Sequence, residues 1–127
     1  MDWLKVDSYH VGGTTCVGFS ADGVHLMSVS HSGRGVFHIA SGKRVARDNE
    51  DFGSWHRDVE VDGIGPLKGQ VVPVFGIFSD IPQQILDELR DFDLTSHITA
   101  FKGAALSPDN QFLAIGYSDE IQIYKRT

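Results

Sequence analysis

The sequence has one cysteine, Cys16, so no disulfide can form within the chain. A cysteine set among β-branched and apolar neighbours, as in Thr14 to Phe19, reads as a small buried hydrophobe rather than a catalytic thiol. No apolar run approaches the ~20 residues that cross a bilayer as a helix. The opening residues, Met-Asp-Trp-Leu-Lys-Val-Asp, carry acid where a secretory signal needs a basic stretch and a long apolar core. A cytoplasmic location without membrane association is expected. The six histidines (10, 25, 31, 38, 56 and 97) show neither His-x-His nor His-Glu-x-x-His spacing, and no cysteine pair accompanies them. No Gly-x-Ser-x-Gly elbow and no EF-hand spacing occur. Hence no metal, cofactor or catalytic residue is expected. A histidine–acid pair drawn from His31, His38 or His56 stays open as the basis of a small hydrolase. Positive charge is scarce too, with 11 Lys and Arg against 17 Asp and Glu and a net charge of −6. That balance argues against a nucleic-acid partner.

What is present is ordinary globular material. Hydrophobic residues make up 41% and charged residues 22% of the 127, close to the norm for soluble domains. A chain of this size buries roughly 60–70% of its unfolded surface, enough for one modest core. A single β-rich domain over 1–127 is expected.

The organising feature is an internal repeat. Phe19 to His38, FSADGVHLMSVSHSGRGVFH, returns without a gap as Leu106 to Lys125, LSPDNQFLAIGYSDEIQIYK, 87 residues later. Ser20-Ala-Asp-Gly23 and Ser107-Pro-Asp-Asn110 are turn sequences. In them Asp can bond back to the backbone, and Gly or Asn tolerates the left-handed region. An apolar strand follows each, then a second turn, then Val36-Phe37 or Ile123-Tyr124.

This pattern resembles a blade of the WD-repeat (tryptophan–aspartate repeat) β-propellers. There an apolar residue, a Ser-Pro-Asp-Gly turn, a Leu-Ala strand and a closing Ile-Trp-Asp follow in that order. Val36-Phe37-His38 and Ile123-Tyr124-Lys125 stand where Ile-Trp-Asp would, and Ser41 to Val45 resembles the turn and outer strand that come next. Neither copy has the terminal Trp-Asp, and no Gly-His dipeptide precedes either. A propeller needs ~4–8 blades of ~40–45 residues each, more than this length supplies. Two readings remain: one small β domain built from two similar hairpin units, or a blade fragment that completes a ring by assembly. Both give a mainly β fold of antiparallel sheet. The units fall at 14–48 and 103–127, with an acidic insertion over 49–102. Trp3 to Val6 reads as an edge strand pairing with the last one.

Within the insertion, Val59 to Asp62 alternates as an exposed strand does. Gln70 to Phe78 is apolar and β-rich, with Pro73 and Gly76 marking an edge or bulge. One amphipathic helix is predicted near 82–92, from Pro82 to about Asp91. Its apolar residues are Ile85, Leu86, Leu89 and Phe92, and Ser79 or Asp80 is a candidate cap. The glycine-rich Ser30 to Gly35 stretch admits an anion-binding reading, with Arg34 as the clamp. A plain hairpin turn that uses glycine for positive φ fits it as well.

Charge gives the functional reading. Residues 48–62 hold six acids and one base, and residues 80–93 hold five acids and one base. The rest of the chain carries nine bases against six acids. Acidity is therefore confined to the part between the repeats. Asp48, Glu50, Asp51, Asp58, Glu60 and Asp62, with Phe52 and Trp55 as aromatic anchors, form the candidate contact set for a basic protein partner. A small acidic domain of this kind looks like a bacterial immunity protein, which neutralises a nuclease toxin by covering its cationic site. That analogy implies a non-enzymatic inhibitor. The alternatives are a scaffold module that closes a propeller by oligomerisation and the histidine–acid hydrolase.

Overall fold

A computed structural model describes residues 3–30, 33–50, 60–76, 81–90 and 101–127. The fold is mainly β, with antiparallel sheets and one short helix. The repeat is reproduced strand for strand. Strands β2 (Thr14–Phe19), β3 (His25–Ser30) and β4 (Gly33–His38) begin 87 residues before β8 (Phe101–Leu106), β9 (Phe112–Tyr117) and β10 (Glu120–Arg126).

The turns repeat bond for bond. Ser20 Oγ donates to Asp22 Oδ1 at 2.6 Å, and Ser107 Oγ donates to Asp109 Oδ1 at 2.6 Å. The amides of Val24 and Gln111 donate to those same aspartates at 3.0 and 3.1 Å. Ser20 and Ser107 in turn accept from the amides of His25 and Phe112. Gly23 has φ +73° and Asn110 has φ +60°, the left-handed conformation that only these residue types adopt cheaply. Both aspartates are held below the ordinary carboxylate value. The serine hydroxyl contributes most, followed by the backbone amide two residues on.

Each unit is a four-stranded sheet. The first runs β2-β3-β4-β5, with β5 at Lys43–Arg47, and the second runs β1-β10-β9-β8, with β1 at Trp3–His10. The expected pairing of the N-terminal strand with the last one is observed: Trp3 faces Arg126 and His10 faces Glu120, with a bulge between Lys5 and Asp7. The second sheet thus takes its fourth strand from the opposite end of the chain.

The two sheets pack face to face. Val17, Phe19, Leu26 and Phe37 meet Tyr9, Ala105, Ala114, Ile121 and Ile123. Tyr9 stacks on Phe37 at 4.4 Å between ring centroids. The outer face of the first sheet (Cys16, Met27, Val29, Val36) is covered by Val61, Leu67, Val72 and Val74. These come from a two-stranded ribbon of β6 (Glu60–Asp62) and β7 (Val71–Pro73), with a 3-10 turn at Gly65–Leu67 between them. The outer face of the second sheet packs under α1 (Gln83–Leu89) through Ile85 and Leu89. Trp3 Nε1 donates to Glu88 at 3.1 Å, and Arg126 lies over the Trp3 ring while donating to Glu88 at 3.0 Å. Both faces of the inner strands are therefore covered, which is why Ser28 and Ser30 are buried on a strand whose sequence has mixed faces.

After β7 the chain runs beside β2, where Val17 and Phe75 exchange backbone hydrogen bonds at 2.8 and 3.1 Å. Glycine makes this approach possible. A Cβ on Gly18 would lie 1.8 Å from the Pro73 carbonyl oxygen, and one on Gly103 would lie 2.5 Å from that of Phe75.

The expected helix forms at Gln83–Leu89, with Pro82 at the N-cap in an extended conformation (ψ 144°) and no side-chain cap bond. Ser79, Asp80 and the end of the predicted helix lie outside the described residues. Within the described part of the Gln70 to Phe78 run, Val71–Pro73 forms a strand and Phe75 makes a single bridge to Val17, with Pro73 at the end of the strand as an edge or bulge position allows.

Candidate interaction surface

The acidic segment begins where β5 ends, and its foundation is Arg34 on β4. This arginine was the candidate anion clamp, and it does clamp anions, but they belong to the chain itself. Its Nε and Nη2 both donate to Asp48 Oδ2, the former at 2.8 Å. Nη2 also reaches Glu50 Oε2 at 2.8 Å, and Nη1 donates to the backbone carbonyl of Asp62 at 2.9 Å. The backbone joins in: the Arg34 amide donates to Asp48 Oδ1 at 2.7 Å, and the Asp48 amide donates to the Arg34 carbonyl at 3.0 Å. Burial of Asp48 opposes its ionisation, but the hydrogen bonds and charge of Arg34 outweigh it and hold the carboxyl below its usual value.

The neighbouring glycine makes the same contact possible. Gly33 has φ +139°, and a Cβ there would lie 2.1 Å from the Asp48 carbonyl oxygen. The hairpin reading of the glycines is therefore the one that applies at Gly33, while His31 and Ser32 lie outside the described residues.

One side chain thus binds both ends of the 48–62 segment. Residues on the near side are held through their carboxylates, and the far side is held through a main-chain carbonyl. Of the candidate contact residues, Asp48 and Glu50 are drawn into this knot. Glu60 and Asp62 stand exposed on β6, either side of buried Val61. Their carboxylates have no ion-pair partner among the described residues. Asp51, Phe52, Trp55 and Asp58 lie outside the described residues. The other acid-rich stretch is internally neutralised where it is described: Asp87 pairs with Arg90 at 2.8 Å, and Glu88 pairs with Arg126 at 3.0 Å.

The histidines offer less. His38 Nδ1 is 2.8 Å from Ser41 Oγ, and its ring sits 5.4 Å from that of His25 across the β3–β4 pair. His31 and His56 lie outside the described residues. Among the described residues, no group of three or more His, Cys, Asp or Glu is placed to hold a metal ion. No helix among them is long and apolar enough to cross a membrane.

A second polar feature was not foreseen. Beside Arg34, a cleft of about 160 Å³ opens between β3, β4 and β5, and its lining includes Ser28, Gly35, Arg44 and Arg47. The sequence held a weak signal for it in Lys43-Arg44-Val45-Ala46-Arg47, whose arginines are three apart. No protein-family model matches the chain, and no curated protein matches it.

Proposed function

We propose that this chain is a non-catalytic protein-binding domain that docks a basic partner through its acidic 48–62 segment. By analogy of size and charge, the partner class is a cationic enzyme such as a nuclease toxin, and the chain acts as its cytoplasmic immunity-type inhibitor. The observation that carries the reading is the Arg34 knot, taken with the two carboxylates it leaves out. Binding residues are commonly borne on segments positioned by a rigid scaffold. Here Arg34 ties Asp48, Glu50 and the Asp62 carbonyl to a doubly covered β sheet. Glu60 and Asp62 stay outward without a counter-ion among the described residues. Asp48 and Glu50 serve in this account as fasteners, and the contact set is Glu60 and Asp62 together with Asp51, Phe52, Trp55 and Asp58.

Completion of a propeller by self-association is less well supported. Blades of a ring pack through their broad faces, and the two outward faces here are occupied by the β6–β7 ribbon and by α1.

The test is affinity capture on the immobilised chain, with the bound protein identified by mass spectrometry. The reading requires a protein of basic isoelectric point whose retention falls when Glu60 and Asp62 are changed to lysine. Retention unchanged by that double reversal, or capture of acidic proteins alone, would overturn it.

A further inference from the structure

We infer that the cleft between β3, β4 and β5 is a binding site for a single small oxyanion, a phosphate or carboxylate group. Three observations point there. The first is uncompensated charge. Arg34, Arg44, Arg47 and Asp48 line one cleft; Arg34 is matched by Asp48 and Glu50, which leaves the charges of Arg44 and Arg47 in excess there. Arg47 makes no hydrogen bond or ion pair among the described residues. Arg44 uses Nη2 to donate to the His10 carbonyl at 2.9 Å and rests over the Phe37 ring. Its other N–H groups make no hydrogen bond among the described residues. Like charges gathered around one cavity repel, and a bound anion relieves that repulsion.

The second is a polar floor without a partner. Ser28 is 5% exposed and lines the cleft, and its hydroxyl makes no hydrogen bond among the described residues. An oxyanion seated in the cleft would accept from this hydroxyl. The neighbouring Ser30 hydroxyl is committed to the Gly33 carbonyl at 3.0 Å.

The third is a cradle left open by a glycine. A Cβ on Gly35 would lie 3.1 Å from Ser28 Oγ, 3.6 Å from Phe37 Cε2 and 3.9 Å from Arg44 Nε. The missing methyl therefore leaves space between the hydroxyl and the guanidinium. No positive φ requires glycine at this position. The cleft, about 160 Å³, has room for one oxyanion group.

The experiment titrates the whole chain with inorganic phosphate and, separately, with acetate, against sodium chloride at matched ionic strength. The readouts are the arginine Nε–H and Gly35 amide resonances. The inference requires a saturating shift at Arg44, Arg47 and Gly35 that chloride does not produce. Saturation by phosphate alone assigns a phosphate-type dianion, whereas saturation by both ions assigns any oxyanion, including a carboxylate carried by a larger ligand. Arg47→Gln, on an exposed side chain, should weaken binding about tenfold, the loss of one hydrogen bond to a charged group. Gly35→Ala should abolish binding by filling the cradle. Non-saturating shifts equal to those in chloride would overturn the inference. So would saturation that survives Arg47→Gln unchanged, which remains decisive even if Gly35→Ala fails to fold.

Discussion

Replacing Arg34 with methionine keeps the aliphatic stem and deletes the guanidinium that closes the acidic segment. The magnitude can be bounded from its partners. The Arg34–Asp48 pair is partly buried, with side chains 13% and 27% exposed. Breaking a fully buried pair costs about 3–5 kcal/mol, whereas a surface pair is worth ~0.2–1 kcal/mol. Asp48 keeps the Arg34 amide as a donor after the change, which pulls the cost toward the middle of that span. Glu50 is 60% exposed and adds little. The lost donor to the Asp62 carbonyl adds about 1 kcal/mol. The expected loss is therefore about 2–3 kcal/mol, a fall in Tm of roughly 10 °C for a domain of this size. Urea unfolding followed by tryptophan fluorescence measures it. Amide spectra should show changes at Asp48–Glu50 and at Glu60–Asp62, while Gly103–Leu106 stays unchanged. Lysine should rescue little, since one ammonium cannot span Asp48, Glu50 and the Asp62 carbonyl. A loss below about 0.5 kcal/mol with unmoved Glu60–Asp62 amides would refute the idea that one side chain holds both ends.

Three further outcomes follow from the geometry. Ser20→Ala and Ser107→Ala should each cost about 1–2 kcal/mol in urea unfolding, because each removes a buried hydroxyl that both donates and accepts; markedly unequal costs would contradict the equivalence of the two turns. Gly18→Ala should cost about 3 kcal/mol or more, since the methyl meets backbone rather than a movable side chain. A loss under about 1 kcal/mol would show that β2 and the Pro73–Phe75 segment do not lie so close. Stability should also depend on pH at both extremes. Asp22, Asp48 and Asp109 have carboxyls held below 3.8 in the fold. Their contribution is therefore present above that value and lost as pH falls below it. Burial, with Asp7 nearby, pushes Tyr9 from 10.0 up to about 12. Burial, with Tyr124 and Glu120 nearby, pushes Tyr117 from 10.0 up to about 12. The favourable effect of keeping these phenols neutral is complete below pH 10.0 and is lost as pH rises toward 12. Phenolate absorbance developing near pH 10 for all three tyrosines in the folded chain would contradict this burial.

What was legible in the sequence was local or periodic. The two Ser-x-Asp turns carry their own hydrogen-bond partners within five residues, so Ser20 and Ser107 announced the repeat directly. The Trp3 to Val6 edge strand and the β-prone character of Val59 to Asp62 were also readable, since alternation and branched residues mark a half-covered strand. The knot was not readable. Arg34 meets Asp48 14 residues away and the Asp62 carbonyl 28 residues away, and no periodicity encodes a side chain reaching a distant main-chain oxygen. The same limit explains why Asp48 and Glu50 looked like free contact residues. Charge counting records that a carboxylate exists, whereas only the fold shows that an arginine has already taken it. Arg44 and Arg47 went unnoticed because an exposed edge strand rich in cations is also the ordinary way to discourage aggregation.

The central claim is that carboxylates left outside the Arg34 knot carry recognition. Its most direct measurement is the association rate of the captured partner across a salt series, for the wild-type chain and for Glu60→Lys with Asp62→Lys. The account predicts a rate that falls steeply with ionic strength and drops at least tenfold on charge reversal at low salt, with the dissociation rate changing less. A salt-independent rate that the reversal leaves unchanged would contradict it.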